Sequence, residues 1–506
     1  MSRRLSAREL VDLTLDEGSF RSWDSEPIRV PGAEDGTPYA AELALAREKS
    51  GVDEAIITGE GRIRGRRVAV IACEFSFLAG SIGVAAAERL VRAVERATAE
   101  GLPLLASPTS GGTRMQEGTV AFVCMVKIAA AITRHKQAGL PYLVYLRHPT
   151  TGGVLASWGS LGHVTVAEPG ALIGFLGPRV YEALYGEPFP EGVQVAENLF
   201  EHGLLDGIIR PEQVAEIAER ALNVLMAPRE GLPDVPALPK EPLADIPAWE
   251  SITRSRNPAR PGVRRLLRLA AQDVLPLNGT GVGEADPGLV LALARFGSAP
   301  AVVLGQDRVR QSADSPLGPA GLREARRGIR LAHELGLPLV TVIDTPGAAL
   351  SKEAEEGGLA GEIARCLADL TVLRAPTVCV LLGQGSGGGA LALMPADRVI
   401  AAQHAWLSPL PPEGASAILY RTTERAPELA DRQGVRSLDL LRHGIVDRIV
   451  AERPDAADEP EPFCQRLGQV LEHELVKLLR QPQDLRLARR HERYRRLGLP
   501  AGIDDD

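Results

Sequence analysis

The chain has 506 residues, which at roughly 150 residues per domain predicts two to four domains, each with room for a sizeable core. Its 45% hydrophobic and 24% charged content lies in the ordinary globular range and excludes wholesale disorder. A formal net charge of −8 argues against a general polyanion binder, so nucleic acid is not expected as a partner.

Met1 to Asp16 mixes arginines with acids and lacks the apolar stretch of a signal peptide. No run reaches roughly 18 uncharged apolar residues, so no membrane span is expected and the chain reads as cytoplasmic. The first half then alternates strand-like and helix-like runs: strand 67–74, helix 84–99, strand 104–107, helix 116–137 and strand 142–146. Six prolines between Ala227 and Glu250 block helix and central strand alike and read as a linker. The boundary is placed there, giving an N-terminal domain 1–235 and a C-terminal domain 236–506. The second half repeats the alternation with strand 301–306, helix 320–335, strand 339–344, helix 361–373 and strand 377–382. Both halves are α/β in pattern. The arginine-rich tail, 480–496, reads as a solvated helix.

The halves resemble each other in detail. Tyr142 to Leu146 followed by Gly152-Gly153 parallels Thr377 to Leu382 followed by Gly388-Gly389, with spacing shifted by one residue. His202-Gly203 parallels His443-Gly444, and Gly111 parallels Gly347, so the offset stays near 235 to 241. A tandem repeat of whole domains points to a site built from both.

Each half holds two glycine loops at strand ends, Ser110 to Gly118 with Gly152-Gly153, and Asp344 to Ala348 with Gly388-Gly389. Glycine lets a ligand approach the main chain, and the first N–H groups of the following helix lack intrahelical partners. Two such loops can aim donors at one developing oxyanion. A single Gly-Gly turn is more often tight packing than catalysis, but two matched instances shift that balance.

Other chemistry is thin. None of the six lysines follows a glycine or lies between methionines, so neither a phosphate loop nor a biotin-attachment context is present. The nine histidines form no H-x-x-x-H pair, and no serine sits in a G-x-S-x-G elbow. The five cysteines are scattered, which suggests reduced thiols and no zinc module. Gly383 to Gly388 satisfies G-x-G-x-x-G, yet no acid follows at about 20 residues to complete a dinucleotide fold. Ser157, Ser386 and His148 read as structural.

Several of these segments together resemble a known family. Gly80 to Gly83, Ser110 to Gly118, Pro149 to Ser157, Ala167 to Phe175 and Gly177 to Val180 resemble the β subunit of bacterial acetyl-CoA carboxylase carboxyltransferase. Ser255 to Pro261, Ile343 to Ala348, Gly385 to Ala392 and Ser408 to Ser416 resemble its α subunit, so the chain resembles a fused β–α enzyme from about Leu10 to Val450. Thr113, Ala348 and Ala349 depart from the family pattern, and the zinc ribbon common in the β subunit is not seen, so no metal is expected.

The resemblance implies two tandem crotonase-like (ClpP/crotonase) α/β domains built on a ββα superhelix. It implies transfer of a carboxyl group from carboxybiotin to acetyl-CoA, or a related short acyl-CoA, giving malonyl-CoA. N–H groups at Gly152 and Gly153, with Gly112, would hold the acyl-CoA enolate oxygen, and those at Gly388 and Gly389, with Gly347, the ureido oxygen of biotin. Gly111, Arg114 and Ala348 are further candidates for substrate binding. No side-chain base is required, since biotin itself takes the proton. The implied partners are acyl-CoA, a biotin carboxyl carrier protein, a biotin carboxylase subunit and a second copy of the chain, with the active site between domains of different chains. A biotin-independent malonyl decarboxylase, another crotonase-type enzyme and a catalytically silent assembly subunit remain as alternatives.

Overall fold

The computed structural model describes residues 4–30, 32–239, 241–312 and 316–499. It divides into two compact units, the first ending at Met226 and including Gly281–Gly283, the second holding the remainder.

The first unit is built on a seven-stranded sheet of β1 (Arg21–Ser22), β2 (Ile56–Ile63), β3 (Arg66–Cys73), β4 (Leu104–Ser107), β5 (Tyr142–Leu146), β7 (Val164–Ala167) and β9 (Gly207–Ile208), in that spatial order. A two-stranded ladder pairs β6 (Thr150–Thr151) with β8 (Ile173–Gly174). The β1–β2–β3 pairings are antiparallel and the rest of the main sheet is parallel. Parallel strands must be covered on both faces, which is why their sequences are apolar throughout. Ala69, Ile71, Leu104, Ala106, Tyr142 and Val144 join one core with α1 (Val84–Ala99) and α2 (Gly118–Gln137). The alternate residues Val70, Leu105 and Tyr145 face Leu10, Val11 and Val214 of helices Ala7–Thr14 and Val214–Leu225.

The helix expected from Gln116 instead opens with a 3₁₀ turn, Met115–Glu117, and the α-helix begins at Gly118, whose φ is +58°. Met115–Gln137 is also long and apolar enough to cross a membrane by length and composition, which the sequence reading did not anticipate. One side of it packs into the core through Ala121, Met125, Ile128 and Ile132, and Lys127 pairs with Glu88 of α1. The other side exposes Val120, Phe122, Val123 and Val126.

The second unit repeats the plan. Its main sheet runs β10 (Gln272–Leu277), β11 (Leu289–Phe296), β12 (Ala299–Gln306), β13 (Leu339–Thr345), β14 (Thr377–Ser386), β15 (Arg398–Ala402) and β17 (Arg448–Val450), with β16 (Trp406–Ser408) paired to the end of β14. It is antiparallel through β12 and parallel beyond. Helix α4 (Pro319–Leu335) crosses from β12 to β13, and α5 (Leu359–Val372) from β13 to β14. No helix or strand is formed between Met226 and Ala248 among the described residues, as the proline density requires.

The last two helices, α6 (Pro460–Leu479) and α7 (Gln483–Arg495), correct one expectation. The tail forms a helix that is solvated on one side only, because Arg486 and Arg490 on the other are buried. Arg490 donates to the carbonyls of Leu370, Leu373 and Ala375 at 2.7–3.1 Å and pairs with Asp397 at 2.7 Å. These contacts tie α7 to the edge where β14 begins.

Candidate functional site: two glycine cradles

In the first unit β5 runs into the short strand β6 and then a turn of helix at Gly152–Val154. Gly152 has φ +64°, a left-handed conformation that only glycine adopts freely, and this lets the chain reverse into the helix. The loop after β4 lies against it: a Cβ on Gly112 would sit 3.6 Å from Gly152 Cα and 3.8 Å from Gly153 N. The loop is held by Ser110, whose Oγ accepts from Gly112 N at 2.9 Å and donates to Gly80 O at 2.6 Å.

These contacts redistribute the expected donors. Gly152 N donates to Phe175 O at 3.0 Å, Gly112 N to Ser110 Oγ and Gly111 N to Ala79 O at 2.9 Å, so none of the three has a free N–H. Gly153 N lies in the first turn of the helix and bonds to no described residue. Thr113 N is likewise unpaired, because the bridge between Ile82 and Thr113 runs through Gly112 O and Arg114 N. Gly153 and Thr113 therefore supply the two available donors. A Cβ on Gly153 would meet Thr113 Oγ1 at 3.1 Å and Met125 Cγ at 3.2 Å, leaving no room for a side chain.

Arg114 does not face this cradle. Its guanidinium is buried and bonds Glu54 at 3.0 Å and Ser81 O at 2.8 Å, with Glu117 and Tyr39 beside it. These acids hold its pKa above the usual arginine range although burial opposes them. Arg114 anchors the loop rather than meeting a ligand. Beside the loop lies a cavity of about 720 Å³ lined by Arg4, Leu45, Lys49, Phe75, Leu78 and Ala79. Leu78, Ala79 and Gly80 have φ of +46°, +55° and +65° in succession, a run of the strained backbone that gathers at ligand-binding sites. Arg4, Lys49 and Phe75 carry no motif that sequence reasoning could have used.

The second unit builds the same cradle. Gly387 has φ +66° and opens the helix Gly387–Leu391 at the end of β14. Gly347, at φ +144°, donates to Thr345 Oγ1 at 3.1 Å, as Gly112 does to Ser110. The bridge between Leu317 and Ala348 matches that between Ile82 and Thr113. Gly112 and Gly347, Thr113 and Ala348, Gly152 and Gly387, Gly153 and Gly388 are each separated by 235 residues. The one-residue shift expected from the sequence is thus absent: Gly152-Gly153 corresponds to Gly387-Gly388, and Gly389 corresponds to Val154. Gly388, Gly389 and Ala348 present N–H groups with no partner outside the first helical turn. A Cβ on Gly388 would lie 2.7 Å from Ile363 Cδ1, and one on Gly389 3.3 Å from Ala348 N.

Behind this cradle Gln306 donates to Gly389 O at 2.6 Å and accepts from Asp344 N at 3.2 Å. The Asp344 carboxyl accepts from Gln384 N at 3.1 Å, and burial pushes it up despite Arg308 at 3.4 Å. Ser157 Oγ donates to Gly153 O at 2.6 Å and is structural. His148 is exposed, and its ring accepts from Leu172 N at 3.0 Å. Ser386 Oγ is buried and has no hydrogen-bond partner among the described residues. Burial pushes the thiols of Cys73 to about 11 and of Cys366, Cys379 and Cys464 to about 12, so none is a thiolate nucleophile at neutral pH.

Tandem α/β units, each ending a parallel strand in a left-handed glycine and a short helix with free N–H groups among the described residues, define a crotonase-like α/β fold with two glycine cradles. Residues 2–488 match the carboxyl transferase domain family, and the chain belongs to it. It is 64% identical over 499 residues to the probable biotin-dependent acyl-coenzyme A carboxylase beta3 subunit of Mycobacterium tuberculosis (strain ATCC 25618 / H37Rv), covering 98% of this chain and 99% of that one. It is 36% identical to the acetyl-coenzyme A carboxylase carboxyl transferase subunits beta/alpha of Salinispora arenicola, over 98% and 91% of the two chains. The fold matches the crystal structure of transcarboxylase 12S, a hexamer with methylmalonyl-coenzyme A and methylmalonic acid bound. The TM-score is 0.72 at 21% identity, over 92% of this chain and 90% of that one.

Proposed function

We propose that this chain is the carboxyltransferase component of a cytoplasmic biotin-dependent acyl-CoA carboxylase, acting on acetyl-CoA or a related short acyl-CoA. The observation that carries this reading is the duplication of one oxyanion cradle at a constant separation. A single-ligand crotonase enzyme needs one cradle, whereas carboxyl transfer develops negative charge on an oxygen of both donor and acceptor. The names of the relatives in Mycobacterium and Salinispora support the same activity.

The N–H groups of Gly153 and Thr113 would hold the thioester oxygen as it gains enolate charge. Losing one such donor typically costs about 2.7–4 kcal/mol of barrier. The cavity beside Ala79 would receive the CoA moiety, with Arg4 and Lys49 opposite its phosphates. The second cradle fits the ureido group of biotin, because Ser386 leaves a buried hydroxyl there with no partner among the described residues. Gly388, Gly389 and Ala348 would hold the ureido oxygen there. Carboxybiotin on a separate carrier protein supplies the carboxyl group. Fixed main-chain donors need no reorganisation during reaction, which accounts for catalysis without a side-chain base.

The implied partners are a biotin carboxylase, a biotinylated carrier and a further copy of this chain. A homodimer or larger oligomer would cover Val120, Phe122, Val123 and Val126, and transcarboxylase 12S is itself hexameric. The test is carboxyl transfer from malonyl-CoA and from methylmalonyl-CoA to free biotin by the purified chain. Transfer from one or both is expected, and their ratio sets the acyl preference. Decarboxylation of either that does not depend on biotin would overturn the reading.

A further inference from the structure

The second unit holds a basic recess away from its glycine cradle, about 370 Å³ in volume, between α6, α7 and the start of β15. Three acids and six cations line it, and the acids are already shared. Asp397 serves Arg490 at 2.7 Å and Arg486 at 3.5 Å. Asp447 serves Arg398 at 2.9 Å and Arg493 at 2.6 Å, and Glu474 takes Arg398 again at 3.1 Å. Lys477 and Arg489, both exposed at the rim, have no carboxylate partner among the described residues; Arg489 reaches only Gln481, at 3.5 Å.

Deeper in, Arg486 is buried: its Nε lies 3.5 Å from Asp397, and its other nitrogens donate to the carbonyls of Leu478, Gln481 and Arg374. Burial pulls the Arg486 pKa below the usual arginine range, with Asp397 opposing the shift and Arg490 adding to it. The recess thus holds six cations against three acids, a surplus of positive charge that Lys477 and Arg489 carry at its rim.

We propose that this recess is a binding site for a small oxyanion of the phosphate class, held at the rim by Lys477 and Arg489. Arginine and lysine donors around a concave surface match the oxygens of a phosphate or diphosphate group. A recess of this volume suits such a group better than a folded partner segment. The proposal does not depend on the function proposed for the cradles.

Pyrophosphate is the probe, titrated into the full-length chain at low ionic strength by calorimetry and thermal unfolding. Saturable binding with a rising melting temperature is expected, and sodium chloride at matched ionic strength should not reproduce it. The double variant Lys477→Ala/Arg489→Ala should bind about tenfold more weakly or worse, with an unchanged melting temperature in the absence of pyrophosphate. Arg489→Lys with Lys477 intact should retain most of the affinity. Lys49→Ala, in the cavity of the first unit, should leave this binding unchanged. Absence of binding in the unaltered chain, equal binding by the double variant, or loss of binding in Lys49→Ala instead would each overturn the proposal.

Discussion

The two cradles share a main chain and differ in what secures it. In the first, the loop carrying Gly112 and Thr113 is pinned by the next residue, Arg114, through a buried ion pair with Glu54. At the equivalent place the second unit has Ala349, and its loop is fastened by neutral hydrogen bonds, from Thr345 to Gln311 at 2.6 Å and from Gln306 to Gly389 O. Thr151 Oγ1 donates to Ser110 O at 3.2 Å, whereas its counterpart Ser386 is left free. Val154 is replaced by Gly389. Duplication has therefore kept the donors in place while their supports diverged, and the second cradle has an additional hydroxyl with no partner among the described residues. That difference accords with the proposed assignment of the flat ureido ring to the second cradle and the thioester to the first.

The contrast in fastening sets the largest expected effect. Breaking a buried ion pair by removing one partner typically costs about 3–5 kcal/mol. Arg114→Ala should lower stability by that order in urea unfolding, because it leaves Glu54 buried without its cation. Gln311→Ala should cost only about 1 kcal/mol, the typical net worth of a neutral hydrogen bond. Equal losses would show that the two loops are not fastened differently.

Next come the donors themselves. Gly153→Val and Gly388→Val should each reduce carboxyl transfer by about 10² to 10³-fold, with far-ultraviolet circular dichroism showing a retained fold. Acyl-CoA affinity should fall mainly in the first variant and the response to biotin mainly in the second. Loss of acyl-CoA binding in both, with a normal biotin response, would reduce the molecule to a single-ligand crotonase enzyme.

A smaller effect tests the register. Gly152→Ala and Gly387→Ala should destabilise equally, by roughly 1–2 kcal/mol, since each forces alanine into the left-handed region with only ordinary contacts nearby. Unequal costs would argue against pairing Gly152 with Gly387.

Much of this could be read from the chain, and the exceptions have physical causes. Helix Val84–Ala99 and strands Leu104–Ser107 and Tyr142–Leu146 have the residues expected for them, because buried elements carry their period openly. Strand Leu289–Phe296 was missed, since a short apolar run does not distinguish strand from helix. The register between the halves was misread by one residue because Gly387-Gly388-Gly389 offers two equivalent placements of a Gly-Gly pair, and only the sign of φ selects between them. The donor assignment needed the partners of each N–H, which no motif encodes: Gly152 and Gly112 are glycines for their conformation and packing, while Thr113 and Ala348 donate without being glycine. The buried arginines of α7 were read as solvated because a run of charge normally faces water. Asp397 and the carbonyls that receive them come from distant positions in the chain.

The smallest effect concerns acidity and again divides the halves. Arg89 on α1 and Glu324 on α4 stand 235 residues apart, at the same helical position, with opposite chemistry. Arg89 is buried against Asp53 at 2.7 Å, and although partial burial raises it, this cation holds the Asp53 carboxyl below its ordinary value. A carboxyl depressed in the folded state contributes stability above its unfolded pKa of about 3.9, and this contribution is lost as pH falls through the folded value. Glu324 has no matching cation strong enough to offset burial, which pushes it to about 7. Its contribution is complete below its unfolded pKa of about 4.3 and is lost as pH rises through about 7. Between pH 5 and 7, Glu324 should therefore lower stability with rising pH, by at most ~1.4 kcal/mol per pH unit, while Asp53 should be nearly silent. Below pH 4 the Asp53 pair should weaken. Urea unfolding followed by hydrogen exchange in each unit would resolve the two. Glu324→Gln should flatten the slope of the second unit between pH 5 and 7 without changing the first, and Asp53→Asn should remove acid sensitivity from the first alone. A second unit whose stability rises over that interval would mean that Glu324 is ionised in the folded protein.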